Sequence, residues 1–190
     1  MDLVVIIGLL GTGGALGSWL SEWWRNRRDD CLRWHSERRA AYERFLSACA
    51  KLRESGLIMA EHIGNLRQIT GWEDAPLFDE EHLLQDAEKL NDQGVVYSVR
   101  KVRHERKIVG DAYDQIECSL AAIEIISEAA VVATARTYYK VLCSFLKVAD
   151  EYPPRECGGW SDPLLEASEQ AEESREAFVT AVRKELGVKP

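Results

Sequence analysis

The chain has little of what builds a metal or redox centre. Its five cysteines, Cys31, Cys49, Cys118, Cys143 and Cys157, and its four histidines, His35, His62, His82 and His104, are scattered. No two cysteines sit at the CxxC spacing of a zinc ribbon or redox pair, so free thiols in a reducing compartment are expected. ExxH, which would bring two ligands to one ion on a helix face, occurs nowhere. Asp79 and His82 form a lone DxxH, whose Asp reads as a helix cap. GxSxG and GxxxxGK[ST] are missing too, and Ser127, Cys118 and Cys143 have no histidine in local register. No catalytic residue, no metal site and no cofactor is expected. A surplus of positive charge is also lacking: 24 Lys and Arg stand against 32 Asp and Glu, a formal net charge of −8, which argues against nucleic acid as a partner.

What is present begins with LVVIIGLLGTGGALGSWLS, residues 3–21, which carry no charge. As a helix this run is about 28 Å long at about 1.5 Å per residue, close to the hydrocarbon thickness of a bilayer. Trp19, Trp23 and Trp24 fall at its C-terminal end, where indole rings favour the headgroup level, and Arg25, Arg27 and Arg28 follow directly. These six are the expected membrane-interface anchors. Only Met1 and Asp2 precede the run, so the positive-inside rule puts the N-terminus outside and the remaining chain in the cytoplasm. Ala15-Leu16-Gly17 has the form of a signal-peptidase site, but secretory signals carry their positive charge before the apolar run rather than after it. Gly13 and Gly17 make a GxxxG pair, which lets two helix backbones approach closely and points to a homodimer or a partner span. Beyond the anchors Arg33, Arg38, Arg39 and Arg44 are partly offset by Asp29, Asp30, Glu37 and Glu43, and membrane lipid is the expected first partner of this stretch.

The rest of the chain is periodic. Tyr42, Phe45, Cys49, Leu52, Gly56, Met59, Ile63 and Leu66 recur by threes and fours, as one stripe of a helix or coiled-coil strand; extended backwards the register meets Arg38, His35 and Cys31. Asp29-Asp30 reads either as a surface patch or as a break between this helix and the membrane run. A connector at residues 70–78 precedes a short helix with Leu83, Leu84, Ala87 and Leu90. Val95, Val99, Val102, Val109, Tyr113, Ile116, Leu120 and Ile123 line a second long helix, interrupted at Arg106, in preference to the strand that VVYSV alone would favour. Ser127-Glu128 starts a third, with Val131, Ala135, Tyr138, Leu142, Phe145 and Ala149, which stops before Tyr152-Pro153-Pro154. Asp162-Pro163 starts the last, lined by Leu164, Leu165, Ala171, Phe178, Val182 and Leu186 and ended by Gly187; its Glu166, Glu169, Glu172, Glu173 and Glu176 form an acidic, solvated face.

The fold class is therefore all-α: an N-terminal transmembrane helix followed by an antiparallel bundle of about four long helices. Residues 1–28 are the anchor with its basic segment, and residues 29–190 the cytoplasmic bundle. The glycine-rich run, the block RWHSERRAAYERFLSACAKL at residues 33–52 and the ending AFVTAVRKELGV at residues 177–188 resemble the single-span membrane proteins of Streptomyces-type actinobacteria. That group has no assigned activity, so the resemblance implies a bacterial cell membrane and carries over no catalytic residue. The function expected is that of a membrane-tethered interaction or scaffold module, working through a protein partner or self-association. The alternative is a ligand-binding sensor or enzyme with a pocket between helices near Arg106 and Tyr113.

Overall fold

A computed structural model describes the backbone of residues 3–70, 85, 93–151 and 162–188, and the side chains of residues 34–67, 85, 93–150 and 162–188. All regular structure among the described residues is helical: α1 (Leu3–Thr70), α2 (Gln93–Ile126), α3 (Ala129–Glu151) and α4 (Asp162–Glu185). The chain divides into two compact units, residues 1–40 and residues 41–190. The described part of the first unit is the opening stretch of α1. Among the described residues no helix is long and apolar enough to cross a membrane. The expected span at 3–21, with Gly13, Gly17, Trp19, Trp23, Trp24, Arg25, Arg27 and Arg28, lies outside the residues whose side chains are described, as do the connector at 70–78 and the short helix after it.

The second unit is a helical bundle. The α1 stripe from Tyr42 to Leu66 is buried at all eight expected positions, and the α3 stripe from Val131 to Ala149 at all six. Successive helices run antiparallel, because Tyr42, where α1 enters this unit, meets the α2–α3 turn and the end of α4 at one end of the bundle. There the Tyr42 hydroxyl lies 2.8 Å from Ser127 Oγ and donates to Glu185 Oε2 at 2.7 Å, and the other Glu185 oxygen accepts from the Glu128 backbone N–H at 3.3 Å. Ser127 and Glu128 do mark the start of α3. The Glu128 carbonyl accepts the first helical bonds, from Val131 and Val132, while the Ser127 hydroxyl meets Tyr42. Glu128, not Ser127, is thus the N-cap residue.

Gly187 closes α4. It has φ 67°, its N–H donates to the Lys184 carbonyl, and the Val188 N–H reaches back to the Arg183 carbonyl. That is the Schellman arrangement, which glycine adopts without a Cβ penalty. Two expectations for α4 need correction. Leu165 is 46% exposed, because it lies one residue, hence about 100°, round the helix from the buried Leu164. Glu172 is not merely solvated: its carboxylate pairs with Arg53 of α1.

Five of the eight expected α2 positions, Val95, Val99, Val102, Ile116 and Ile123, are buried, while Val109, Tyr113 and Leu120 are only half-buried. The buried face also takes in Ser98, Glu105, Ala112 and Ser119, so it is wider than the expected stripe. Arg106 and Tyr113 lie on the edge that faces α3, where Arg106 meets Asp150 and the Tyr113 ring stands edge-on to Tyr139. Val95 to Val99 is helix, not strand.

Two apolar clusters result. The larger joins all four helices around Phe45, Tyr138, Leu142, Phe145 and Phe178, each no more than 1% exposed. The smaller holds Met59, Ile63 and Leu66 of α1 against Val95, Val96, Val99 and Val102 of α2. Burial of one such side chain contributes about 1.5 to 3 kcal/mol. At Gly56 an added Cβ would stand 2.7 Å from Leu146 Cδ2 and 2.9 Å from Phe145 Cε1, so α3 lies against the bare backbone of α1. Gly56→Ala gains roughly 1 kcal/mol of helix propensity and loses about 1 to 3 kcal/mol to overpacking. The expected outcome is a net loss of about 1 kcal/mol in urea unfolding, and Gly56→Val loses more.

Candidate functional site

Four buried polar side chains stand out in a bundle otherwise lined by hydrocarbon: Ser55, Ser98, Glu105 and Ser119. Three of them lie on α2 and one on α1; Ser55 and Glu105 line one cleft between these helices and Ser119 lines a second. Glu105 is the deepest charge among them, 2% exposed. It lies between the two apolar clusters, one turn after Val102 and two before Ala112.

Its carboxylate accepts from the Lys101 ammonium at 2.9 Å, one turn earlier on α2, and from the Ser55 hydroxyl across on α1. Burial pushes the Glu105 carboxyl up. The hydrogen bonds from Lys101 and Ser55, with the charges of Lys101 and His104, outweigh that push and hold it below the usual glutamate range. Glu105 is therefore an ion at neutral pH. It fixes the facing of α1 and α2, and it is not a proton donor for acid catalysis.

Glu105 opens onto a surface cleft of about 540 Å³ between α1 and α2, walled by Lys51, Glu54 and Ile58 on one side and His104, Ile108 and Asp111 on the other. A second cleft of about 400 Å³ continues it between Arg44 and Ser47 of α1 and Asp114, Cys118 and Ala122 of α2; Gln115 borders both. Together they form a groove with apolar patches in its floor and charges on its rims.

Elsewhere the polar groups tie helices together. Arg53 of α1 donates to Glu172 at 2.7 Å and to Ser168 at 2.9 Å, both on α4. Arg175 also hydrogen-bonds Glu172, and this is the largest of the effects that hold the Glu172 carboxyl below its usual range against its partial desolvation. Arg106 donates to Asp150 at 3.3 Å, joining α2 to α3. Burial first, and then the neighbouring Cys143, pushes the Tyr113 hydroxyl up, and burial followed by Cys143 and Glu117 raises the Tyr139 hydroxyl to about 12. Arg106 and Tyr113 thus serve the α2–α3 contact, and neither lines the groove.

Among the described residues no group of three or more His, Cys, Asp or Glu side chains is placed to hold a metal ion. His104 borders the groove, His62 stands edge-on to the Tyr97 ring with centroids 5.6 Å apart, and His35 is exposed. Asp79, His82, Cys31 and Cys157 lie outside the residues whose side chains are described. Cys49, Cys118 and Cys143 are free thiols, buried, exposed and half-buried in that order, and burial raises the Cys49 thiol far above its ordinary value. Sequence spacing could not have found the groove, since its rims come from α1 and α2 and only the fold brings them level. The one local signal was Glu105 itself, an acid one position from the expected stripe. Comparison with protein-family models, with curated proteins and with solved structures gives no match.

Two outcomes follow from these environments. Of the three described thiols, native-state alkylation with iodoacetamide, read by mass spectrometry, modifies Cys118 first and Cys143 more slowly. Cys49 reacts only on unfolding, since the thiolate is the reactive form. For acid stability, Glu105 and Glu172 both titrate lower in the fold than in the unfolded chain. Their contribution is complete above the unfolded glutamate value of about 4.3 and is lost as pH falls through their lower folded values. Glu105→Gln therefore lowers the urea midpoint near pH 7 and lessens its decline between roughly pH 5 and pH 3.

Proposed function

We propose that the chain is a membrane-tethered helical interaction module, with residues 3–21 crossing a bacterial cell membrane and the bundle on the cytoplasmic side. Trp19, Trp23 and Trp24 sit at the headgroup level in this reading, and Arg25, Arg27 and Arg28 hold the orientation. Gly13 and Gly17 offer the span a close-packing face toward a second span. One observation carries the reading: an uncharged run followed in order by aromatic and basic residues stands ahead of a separate compact helical unit.

The chemistry of that unit supports binding over catalysis. Arg53, Arg106, Glu105, Glu172 and Tyr42 are each engaged in linking helices to one another. What the bundle offers to the outside is a set of surfaces: the charged groove between α1 and α2 and the acidic outer face of α4. A tethered domain with such surfaces acts by holding a protein partner, or a second copy, at the membrane.

The expected outcome is that full-length protein stays in the membrane pellet after washing at alkaline pH and leaves it only with detergent. Reporter fusions after Pro190 should report a cytoplasmic end. Release into the alkaline supernatant would remove the span from the reading, and an external Pro190 would reverse its orientation.

A further inference from the structure

The groove between α1 and α2 carries a charge pattern whose order identifies what it fits. Ser55 and Glu105 are both buried and line the same cleft, which sets the level of the two antiparallel helices. With Ser55 beside Glu105, Arg44 comes within about one turn of Asp114, Lys51 of Asp111, and Glu54 of His104. Each of these pairs borders a shared cleft, Arg44 with Asp114 in one and the other two pairs in its neighbour. All six side chains are exposed. The signs are plus against minus at the first two levels, and at the third the Glu54 carboxylate stands against an imidazole that can donate to it. The two rims are electrostatic complements of each other at the first two levels and hydrogen-bonding complements at the third.

We propose that this face is the contact surface for a second copy of the chain, the two bundles packing groove to groove about a two-fold axis that runs along the helices. Such an axis lays α1 of one copy over α2 of the other at the same level, with both copies pointing the same way. Arg44 then faces Asp114 across the interface, Lys51 faces Asp111, and Glu54 faces His104, each contact made twice by symmetry. The half-buried Ile58, Ile108 and Ala122 supply the apolar centre, and the charged rims surround it.

Two competing arrangements place like charges together. An axis running across the groove at the level of Lys51 lays α1 over α1 in reverse, which sets Lys51 against Lys51 and Asp111 against Asp111. Contact through the outer face of α4 opposes Glu166, Glu169, Glu173 and Glu176, all exposed, to their own copies. Charge juxtaposition of that kind is how wrong partners are rejected. The inference rests on the self-association arm of the function proposed above and makes no use of the span.

The test uses full-length protein carrying Gly13→Ile and Gly17→Ile, so that span contacts contribute nothing, in detergent micelles or, if the alkaline wash releases the chain, in plain buffer. Mass is followed by sedimentation equilibrium from roughly 1 to 100 µM. The parent dimerises, more weakly at high salt. Lys51→Glu alone and Asp111→Lys alone each raise the dissociation constant by roughly tenfold or more. An equimolar mixture of the two variants restores the parent value, because every interfacial pair in the mixed dimer is again of opposite sign. Rescue in the mixture cannot come from contacts within one chain. Unchanged helicity and urea midpoint show that each variant is folded, and Glu54→Lys with His104→Glu repeats the test at another level. A chain monomeric across the range, single variants that dimerise like the parent, or a mixture no tighter than its components would each overturn the proposal.

Discussion

The bundle is organised around Phe45. This α1 side chain is fully buried, its ring 5.0 Å from Phe178 of α4 and 6.1 Å, edge-on, from Tyr138 of α3. Phe178 in turn meets Tyr42, one turn earlier on α1, at 6.1 Å. Four rings from three helices so occupy one level of the core, in the tilted and edge-to-face geometries that aromatic quadrupoles favour. Large rings cannot be accommodated at every level. Eleven residues beyond Phe45 along α1, at Gly56, side chains of α3 fill the space that a Cβ would take. Wide at the rings and close at the glycine, α1 and α3 fit in only one register, because a shift of one turn would place a ring against a ring and a void beside the glycine.

The polar groups extend that selection of a single register. Hydrocarbon against hydrocarbon tolerates sliding and rotation, whereas a buried carboxylate does not. Glu105 reaches across to α1 only when Ser55 is level with it, and a rotation of α2 that exposed Glu105 would bring a basic neighbour, Arg106 or His104, toward the core. At the other end of the bundle, Tyr42, Ser127, Glu128 and Glu185 join α1, the α2–α3 turn and α4 in one network. Midway, Arg53 connects α1 to α4 through Ser168 and Glu172. Each helix junction thus combines apolar area, which supplies most of the stability, with a polar contact that selects the alignment.

How legible these features were depended on whether they were periodic or relational. The α1 and α3 stripes are legible because large apolar residues recur there without gaps, from Tyr42 to Leu66 and from Val131 to Ala149, and every expected position is buried. The stop at Gly187 is legible because only a residue tolerant of positive φ completes that turn. In α2 the same reasoning finds Val95, Val99, Val102, Ile116 and Ile123, which are buried, but also takes in Val109, Tyr113 and Leu120, which are half-buried, and passes over Ser98, Glu105, Ala112 and Ser119 because they are small or polar. A helix in contact with two neighbours has a wide buried arc, and size alone does not mark its limits. Glu172 was read as solvated because its partner, Arg53, is 119 residues away in sequence. The groove belongs to the same relational class: no local pattern joins Lys51 to Asp111.

The distribution of charge over the bundle gives its two outer faces opposite tendencies toward self-contact. With a formal net charge of −8 the chain repels its own copies at long range, a field that favours solubility over association. The outer face of α4 strengthens that repulsion, with Glu166, Glu169, Glu173 and Glu176 in one exposed row. The α1 and α2 rims carry both signs, so their long-range field largely cancels and what remains acts at contact distance. Net repulsion with one locally complementary face allows few orientations of approach. The outer face of α4 adds to the repulsion at every approach, and the groove between α1 and α2 is the face on which opposite charges can be brought together at contact distance.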